Sequence, residues 1–320
     1  MSKLKQEILK LIEDGNFISG EKIARGLNVS RTAVWKSIQI LKQEGYEIES
    51  VTNKGYQLRR KPSVLSPTKL SSLVTRSEVF EGMEYFTSTE STQKDAFRIL
   101  EENDNTYLVI AEEQTKGRGR FDRQFESPKK SGLYVSMVFR PSISISEIIR
   151  FNLFISMAIS NTLDEAFGLR SGIKWPNDIY IDNRKVCGFL TEVVSEANII
   201  NAIVCGVGIN LFKNDALSNV ESATSVEEEM TEGQSLDTDI FLEYFFNNIE
   251  KYYVKFLNEP FSSIRGEWMR KSIIFNREIS ISEIYNHYKA VALDITEDGF
   301  LEVLDNEGNI KKIISADIEL

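Results

Sequence analysis

Apolar residues in the first forty-five positions recur at the spacing of amphipathic helices. Ser19 and Ser30 each precede such a segment and predict N-caps, whereas Gly26 and Asn28 mark a tight turn between the segments. Gly45 is expected to end the second helix. The positions predicted to face the core are Leu4, Ile8, Leu11, Ile12, Ile23, Ala24, Val34, Ile38 and Leu41. Two helices joined by a short turn predict a helix-turn-helix.

Beyond residue 45 the pattern changes to the alternation typical of strands. YEIESVTNKGYQLRR predicts two strands around a turn at Asn53-Lys54-Gly55, and a hairpin beside a helix-turn-helix makes a winged helix. Pro62 breaks the pattern in a predicted linker, and Ser66-Pro67 suits the cap and first position of a new helix. The tip of the wing carries Lys54, and its base carries Arg59, Arg60 and Lys61.

Between about residues 68 and 270, strand-like and helix-like segments alternate, which predicts a mixed α+β domain. The predicted strands are TYLVIAEE, LYVSMVFR, GIKWPNDIYID, KVCGFLTEVVS and AIVCGVGINL, and the predicted helices are STQKDAFRILEEN, SEIIRFNLFISMAISNTLDEAF and LDTDIFLEYFFNNIEKYYVKFL. The tail, from WMRKSIIF onward, alternates apolar and polar residues, with turns at 297–299 and 306–309, and predicts a small β-barrel-like module. The predicted domains are 1–62, 68–270 and 271–320.

Composition narrows the classes of function. The chain has 320 residues, of which 42% are hydrophobic, so it can bury substantial cores. Two cysteines, Cys187 and Cys205, make neither a disulfide framework nor a complete zinc site, and we expect Cys187 to be a small buried apolar residue. His287 is the only histidine, which disfavours histidine-based triads and is consistent with a structural role. Without a long apolar run or a signal-peptide pattern, we expect a cytoplasmic protein with no membrane partner.

Charge divides the chain into two parts. Residues 1–61 carry twelve Lys or Arg and seven Asp or Glu, a net of +5, whereas the whole chain carries −10, so the remainder carries −15. A basic helix-turn-helix with a wing favours DNA binding. An ordinary basic surface or a protein-contact domain stays open as an alternative, and Trp35 could equally be a core residue. The residues expected to meet DNA are Arg31, Thr32, Trp35, Lys36, Gln39 and Lys54.

The stretch EEQTKGRGRFDRQFESP, residues 112–128, is a basic segment in an acidic body. It has no apolar period and separates two predicted strands, as functional loops often do. Gly117 and Gly119 leave backbone N–H groups accessible to an anion, and Arg118, Arg120 and Arg123 offer guanidinium donors. A solvated surface turn or an RNA-binding segment remains an alternative. The glycine spacing matches neither a P-loop nor a dinucleotide fingerprint.

Three other stretches narrow the possible functions of the chain only when they are taken together. KWPNDIYIDNRKVCGFL places Lys174, Asp178 and Lys185 close together, with Lys185 positioned to point a charge into a cleft. From spacing alone, a hairpin with solvated lysines is the favoured interpretation. CGVGIN ends a buried strand with two glycines, and ESTQ at 90–93 is also compatible with a simple helix cap.

GRGRFDR, KWPNDIY with its following lysine, and GVGIN, in this order behind a winged helix, resemble the bifunctional biotin ligase/biotin operon repressors over nearly the whole chain. The resemblance implies that biotin and ATP with Mg²⁺ form biotinyl-5′-AMP and diphosphate. Biotin then passes to a lysine of the biotin carboxyl carrier protein of acetyl-CoA carboxylase or pyruvate carboxylase. The adenylate is also the corepressor, favouring a homodimer on operator DNA. The tail is implied to be an SH3-like domain that helps to hold ATP or the carrier.

The family's site residues can be carried onto this sequence one by one. The resemblance implies adenylate contacts at Arg123, Phe125 and Asn210, and it places Asp178 near the metal. Phe125 stands where the family usually has Trp. Among the basic residues of the site, Arg118, Arg120 and Lys185 are expected to be catalytic through electrostatic stabilisation, and Lys185 to help keep the carrier amine deprotonated. The implied biotin-binding residues are Ser91, Thr92, Gln93, Gln114, Arg118, Gly119, Arg120 and Lys185.

Alternative functions remain at this stage. A winged-helix regulator could sense a ligand without ligase activity, a lipoate ligase could share the fold, and a ligase could have lost repression. Lys185 and the loop arginines disfavour the first alternative, and GRGR favours biotin over lipoate.

Overall fold

A computed structural model describes residues 3–12, 16–43, 46–52, 54–60, 65–214, 217, 222–231, 233–283 and 286–320. The chain divides into two compact units, residues 1–64 and 65–320, and each is considered by itself. Gly45, Asn53, Lys61 and Pro62, which the sequence placed at a helix end, a turn, the wing base and a linker, lie outside the described residues.

The first unit contains three helices, α1 Lys3–Ile12, α2 Gly20–Gly26 and α3 Arg31–Gln43, and a hairpin of β1 Glu47–Val51 and β2 Gly55–Arg60. Both predicted caps are confirmed, because Lys22 N donates to Ser19 Oγ and Ala33 N to Ser30 Oγ. Asn28 adopts a φ of 54° in the turn between α2 and α3. The apolar stripes of the helices pack together, with Ile8, Ile12, Ile23, Val34, Ile38 and Leu41 fully buried. The predicted winged helix-turn-helix is therefore confirmed.

The second unit begins with α4 Pro67–Arg76, capped by Ser66 with Pro67 at its first position. Its main sheet has, within the described residues, eight strands in the order β3-β4-β5-β10-β9-β8-β7, with β6 paired to β10. Only β3 and β4 pair in parallel along this order; the other neighbours are antiparallel. The strands are β3 Gly82–Phe86, β4 Tyr107–Ala111, β5 Gly132–Phe139, β6 Ile143–Ser144, β7 Gly172–Lys174, β8 Asp178–Ile181, β9 Arg184–Glu196 and β10 Ile199–Asn210.

The helices of this unit bury apolar side chains in its hydrophobic clusters. They are α5 Thr92–Glu102, α6 Ile148–Phe167, α7 Val226–Glu229, α8 Thr238–Asn258 and α9 Ser262–Lys271. Burial runs almost all the way round α6, as expected for a helix covered by both the sheet and α8. GMEYF, which forms β3, escaped the sequence prediction because all five of its residues are only half-buried.

The tail forms a five-stranded antiparallel sheet in the order β14-β13-β12-β11-β15, with no pairing that closes it within the described residues. The strands are β11 Glu278–Ser282, β12 His287–Ile295, β13 Leu301–Asp305, β14 Ile310–Ile313 and β15 Asp317–Glu319. The predicted turns are confirmed by Gly299 and Gly308, which have φ values of 90° and 84°. One correction is needed: Trp268–Lys271, assigned to the alternating tail, is helical because it completes α9, with Trp268 fully buried.

The tail sheet and the main sheet share one hydrophobic core. Trp175, 1% exposed, donates from Nε1 to the carbonyl oxygen of Gly299, and Ile273 N donates to Ile173 O. The tail is thereby fixed against the β7–β8 region, where the KWPND segment turns. None of the helices that the structure describes is long and apolar enough to cross a membrane.

Candidate functional site

A cavity of about 160 Å³ lies between the N-terminus of α5, the 112–128 segment and the strands β9 and β10. Eleven of the residues that the sequence assigned to ligand, metal or catalysis line it: Ser91, Thr92, Gln93, Gln114, Arg118, Gly119, Arg120, Arg123, Phe125, Asp178 and Lys185. Residues from four separate parts of the sequence, 91–93, 114–125, 178 and 185, therefore meet in one pocket.

Ser91 is the N-cap residue of α5, and its side chain makes no capping hydrogen bond. The residue is 1% exposed, and its Oγ is buried without a hydrogen-bond partner in the described part of the chain. Buried hydroxyls are normally satisfied, and an unsatisfied one in a pocket wall is a hydrogen-bonding group held ready for a ligand.

Thr92 and Gln114 connect α5 to the 112–128 segment. Gln114 Oε1 accepts from the backbone N–H of Thr92 at 2.9 Å and lies 3.1 Å from Thr92 Oγ1. Gln114 Nε2 donates to Ser127 Oγ at 2.9 Å, and Ser127 Oγ in turn donates to Phe125 O. The two ends of the segment are therefore tied to the start of the helix.

Ser136, in the middle of β5, also lines the cavity and is fully buried. It lies 2.9 Å from Thr92 Oγ1 and donates to Gln93 Oε1 at 2.9 Å. Gln93 Nε2 donates to the carbonyl oxygen of Val204 at 3.0 Å. Ser136 was absent from the predicted site; its signal was a lone hydroxyl within the apolar strand LYVSMVF, since buried polar groups require partners.

The 112–128 segment is not the structureless connection that its sequence suggested. It folds back on itself as a narrow hairpin in which Gln114 pairs with Ser127, Phe125 N donates to Gly117 O, and Gly119 N donates to Arg123 O. Phe121, 55% exposed, lies near the turn with a φ of 54°. A side chain at Gly117 would lie 2.3 Å from Phe125 O, so this position requires glycine for the close approach of the two arms.

The three arginines of this hairpin have separate partners. Arg118 Nη2 lies 3.6 Å from Glu192 Oε1, and Arg123 forms an ion pair with Asp317 of the tail sheet. Arg120 makes the most contacts: its guanidinium donates to Asn177 Oδ1, Ala316 O and Ser315 Oγ, at 3.3, 3.2 and 3.0 Å. Burial lowers the pKa of Arg120 from its ordinary value, opposed by the nearby carboxylates Asp178 and Asp317. Since arginine titrates far above neutrality, the side chain stays cationic.

Lys185 lies on β9 with Nζ 2.7 Å from Asp178 Oδ1. The other oxygen of Asp178 is 4.0 Å from Lys174 Nζ, which donates to the Tyr180 hydroxyl. A side chain at Gly188 would come within 2.8 Å of Lys185 Nζ, so glycine leaves room for the ammonium group across the strand. Burial raises the pKa of Tyr180 to about 12, with Asp178 adding to the effect, so this phenol remains a neutral donor.

Phe125 forms an apolar wall of the cavity against the backbone of β10. A side chain at Gly208 would lie 2.4 Å from the Phe125 ring, so the glycine of GVGIN permits this contact. In the same strand, a side chain at Gly206 would lie 2.4 Å from Gln93 Oε1. Both glycines of CGVGIN therefore leave room for side chains that line the cavity. This role is more specific than the close packing of neighbouring strands.

Asn210, by contrast, is 6% exposed and is not among the residues lining the cavity. Its Nδ2 donates to Thr224 O, and Thr224 N donates to Lys185 O. Asn210 therefore fastens the 222–224 segment alongside Lys185. Cys187 and Cys205 are fully buried, and burial raises the pKa of both thiols, to about 12 for Cys205, so they are inert.

Over the described residues, no three His, Cys, Asp or Glu side chains gather as a metal site. The acidic residues that line the cavity are Asp178 and Asp317. Asp317 is paired with Arg123, and the closer partner of Asp178 is Lys185 through one oxygen only. A metal carried in by a phosphate ligand needs only one or two protein carboxylates, and Asp178 is suited to supply one.

The first unit presents a second candidate surface along α3 and the hairpin. Arg31, Thr32, Trp35 and Lys36 are exposed, and Gln39 is half-buried. Trp35 is 53% exposed, so it does not belong to the core. Lys54 is exposed on the wing and lies 5.9 Å from the centre of the Phe17 ring. Of these side chains, Arg31, Thr32 and Trp35 line a concave surface between α3 and the hairpin, a shape and chemistry suited to a nucleic-acid duplex.

Comparison with known proteins matches three family models along the chain. The Biotin/lipoate A/B protein ligase family matches residues 83–210, an HTH domain matches residues 3–57, and the Biotin protein ligase C terminal domain matches residues 285–320. The order of the three models is that of the winged helix, the main sheet and the tail sheet.

Relatives of full length are similar throughout. The bifunctional ligase/repressor BirA of Bacillus subtilis is 34% identical and covers 100% of this chain and 99% of its own length. The bifunctional ligase/repressor BirA of Escherichia coli is 27% identical over 98% of this chain and 96% of its own. A solved biotin protein ligase from Aquifex aeolicus, in complex with biotin and ATP, superposes with a TM-score of 0.64 and 26% identity. It covers 75% of this chain and 98% of that one.

Proposed function

The chain belongs to the family of bifunctional biotin ligase/repressors, and from this premise we propose that the cavity beside α5 is where biotin and ATP react. The chain is an ATP-dependent biotin protein ligase and a DNA-binding repressor of biotin genes. It forms biotinyl-5′-AMP, transfers biotin to the lysine of a biotin carboxyl carrier protein, and uses the adenylate as corepressor.

The composition of the cavity wall supports this assignment. The unpartnered Ser91 hydroxyl, together with Thr92 and Gln114, offers neutral donors and acceptors to the ureido ring of biotin. Arg118, Arg120 and Lys185 line the same cavity and suit the carboxylate and phosphate groups. The buried, unsatisfied Ser91 Oγ carries the proposal, because a pocket built only for an anion would not need it.

In the first step, a biotin carboxylate oxygen forms a bond to the α-phosphorus of ATP as the bond to diphosphate breaks. Both reactants are anions, and negative charge accumulates on the phosphoryl oxygens. Arg120 and Lys185 stabilise that charge, and the hairpin amides position the substrates, so the protein needs no nucleophile of its own. Phe125 packs against the ligand on the side of β10 and excludes water.

Mg²⁺ would enter with the ATP phosphates, and Asp178 is the residue that would hold it. When bound, the ion screens phosphate charge. Lys185, drawn toward the reacting phosphoryl group, would then leave Asp178 free to face a cation. Asp178 would thus pair with Lys185 or with the ion, depending on where Lys185 lies.

In the second step, the amine of the carrier lysine attacks the acyl carbon, AMP leaves, and the amine loses a proton. The positive charge of Lys185 favours the neutral, nucleophilic form of an approaching amine. A Lys185→Ala variant that formed and transferred the adenylate at the wild-type rate would contradict both roles of this residue.

For the repressor function, we propose that Arg31, Thr32, Trp35, Lys36, Gln39 and Lys54 contact the operator, and that the adenylate favours a homodimer. The functional division follows the predicted domains 1–62, 68–270 and 271–320. Sedimentation with and without biotin plus ATP tests the dimer. An operator gel shift under the same conditions tests DNA binding. An equal shift with and without biotin plus ATP would contradict the corepressor assignment.

The ligase assignment is tested by biotin-dependent diphosphate release and by labelling of a carrier protein, both measured in one reaction. We expect both signals with biotin and neither with lipoate. Diphosphate release driven by lipoate would identify a lipoate ligase, and the absence of both signals would leave only a ligand-sensing regulator.

A further inference from the structure

We propose that Ser136, acting together with Gln93, fixes the hydroxyl of Thr92 as a hydrogen-bond acceptor toward the ligand and so selects a ligand N–H group at that point. The inference rests on the proposed function of the cavity as a biotin site. Ser136 and Gln93 are positioning residues, since their polar atoms are occupied by protein partners.

The orientation of the Gln93 amide is set by the backbone. Its nitrogen lies 3.0 Å from the carbonyl oxygen of Val204, which can only accept a hydrogen bond. Its oxygen therefore faces Ser136, 2.9 Å away. Because an amide oxygen only accepts, the single hydroxyl proton of Ser136 is committed to Gln93. Gly206 makes room for this arrangement, since a side chain there would overlap Gln93 Oε1.

The orientation of the Gln114 amide is fixed in the same way. The backbone N–H of Thr92 can only donate, and it lies 2.9 Å from Gln114 Oε1. Gln114 Nε2 then donates to Ser127, whose own proton points to Phe125 O. Backbone groups thus determine the direction of every hydrogen bond on both sides of the Thr92 hydroxyl.

These directions leave two acceptors for the Thr92 hydroxyl proton, both of them in the protein: Ser136 Oγ, which is the nearer, and Gln114 Oε1. Thr92 Oγ1 and Ser136 Oγ are 2.9 Å apart, and Ser136 has no proton left to give, so Thr92 donates to Ser136. The same proton also has Gln114 Oε1 within reach at 3.1 Å, an acceptor already shared with the backbone N–H of Thr92, so in either position it stays within the protein. Thr92 can offer the cavity only lone pairs.

The neighbouring Ser91 has the opposite freedom. Its Oγ has no partner within the described residues, so its proton can turn to a ligand carbonyl. Adjacent residues thus present a donor and an obligatory acceptor, which complements a carbonyl next to an N–H, as on the edge of a cyclic urea. A dithiolane ring has neither group, so the network predicts that lipoate is rejected by its chemistry and not by its size.

Two ring analogues of biotin test directly whether Thr92 acts as an acceptor. They are the cyclic carbamates in which one or the other ureido N–H is replaced by an ether oxygen. Calorimetric binding to the full-length protein is the measurement. In the wild type, one carbamate places its ring oxygen against the Thr92 acceptor and binds at least roughly tenfold more weakly than biotin.

In Ser136→Ala, the Thr92 proton keeps only the longer contact with Gln114 Oε1, which that oxygen shares with the backbone N–H of Thr92, and it can turn toward the ring oxygen of the carbamate instead. We expect the preference for biotin over this carbamate to fall by roughly threefold to tenfold, with ATP affinity unchanged. Ser136→Thr keeps the hydroxyl and should restore the preference. Ser156→Ala removes an equally buried serine hydroxyl in α6, away from the cavity, and should leave the preference at the wild-type value.

If Ser136→Ala kept the wild-type preference for biotin over this carbamate, the inference would be overturned. The same holds if the variant lost affinity equally for biotin and for both carbamates. If Ser136→Ala does not fold, Ser136→Cys makes the same test, because a thiol is a weak donor of similar size. Failure of the proposed function would look different: the wild-type protein would bind no biotin at all.

Discussion

The two basic regions of this molecule use the same residue types in opposite surroundings. In the winged helix, Arg31 and Lys36 are exposed and have no ion-pair partner among the described residues. In the 112–128 hairpin, Arg118, Arg120 and Arg123 are each held by a carboxylate, an amide or a carbonyl of their own unit. The first arrangement suits an extended polyanion bound over many contacts, whereas the second suits a small anion bound by a few donors in fixed positions.

The difference follows from the cost of ordering a side chain. A cation on an exposed helix keeps its hydration and gains affinity for DNA through release of counterions, which depends on salt and little on exact position. A guanidinium fixed before the ligand arrives loses less conformational entropy on binding and acts at one geometry.

The largest effect is expected from Arg120→Ala. The variant removes the most buried cation of the hairpin, so the adenylate should lose at least one charge-assisted hydrogen bond, about 1.5–3 kcal/mol. This corresponds to a dissociation rate roughly ten- to 150-fold faster, measured by chasing labelled adenylate. The affinity of the ligand-free protein for DNA should not change.

Arg98→Ala is the matched control, since Arg98 is also ion-paired but lies on the outer surface of α5. If the adenylate dissociated from Arg120→Ala at the same rate as from the wild-type protein, the hairpin would not be what holds the anion.

An intermediate effect is expected from Arg31→Ala in the winged helix. Loss of one phosphate contact should lower operator affinity by about five- to tenfold and reduce the slope of log affinity against log salt by about one. Fluorescence anisotropy across a salt series measures both. Biotin affinity should show almost no salt dependence in either protein.

Arg25→Ala serves as its control, because Arg25 lies on α2 and already pairs with Glu21. Equal salt slopes for DNA and biotin would remove the distinction between the two basic regions.

The smallest effect is expected from Asp317→Asn, which releases Arg123 from the tail sheet while keeping the shape of the side chain. Arg123 is 66% exposed, so the ion pair should contribute less than about 1 kcal/mol. Adenylate retention should therefore change by less than about fivefold, in the same chase assay.

Asp294→Asn, which breaks a second ion pair in the tail sheet away from the hairpin, is the control. An effect of Asp317→Asn as large as that of Arg120→Ala would mean that the tail sheet, and not Arg120, is the main restraint on the hairpin.

The local elements and the type of chemistry could be predicted from the sequence alone. Ser19, Ser30 and Ser66 cap helices as predicted, because a cap depends on residues three positions apart. The basic excess of the winged helix and the order of the motifs GRGR, KWPND and GVGIN were also enough to indicate the family. These are properties of neighbouring residues or of residue type, which the chain carries before it folds.

The partners of the polar groups, by contrast, could not be predicted before the folded structure was known. The contacts of Arg120 with Ser315 and Ala316 span nearly two hundred residues, and nothing in either stretch of sequence indicates the other. The hairpin pairing of 114–127 was hidden because it rests on backbone groups and glycines. Ser136 appeared to be one polar interruption of an apolar strand, and its role follows only from the Val204 carbonyl and the Gln93 amide around it. Hydrogen-bond direction is set by whole networks, so it becomes defined only when the chain has folded.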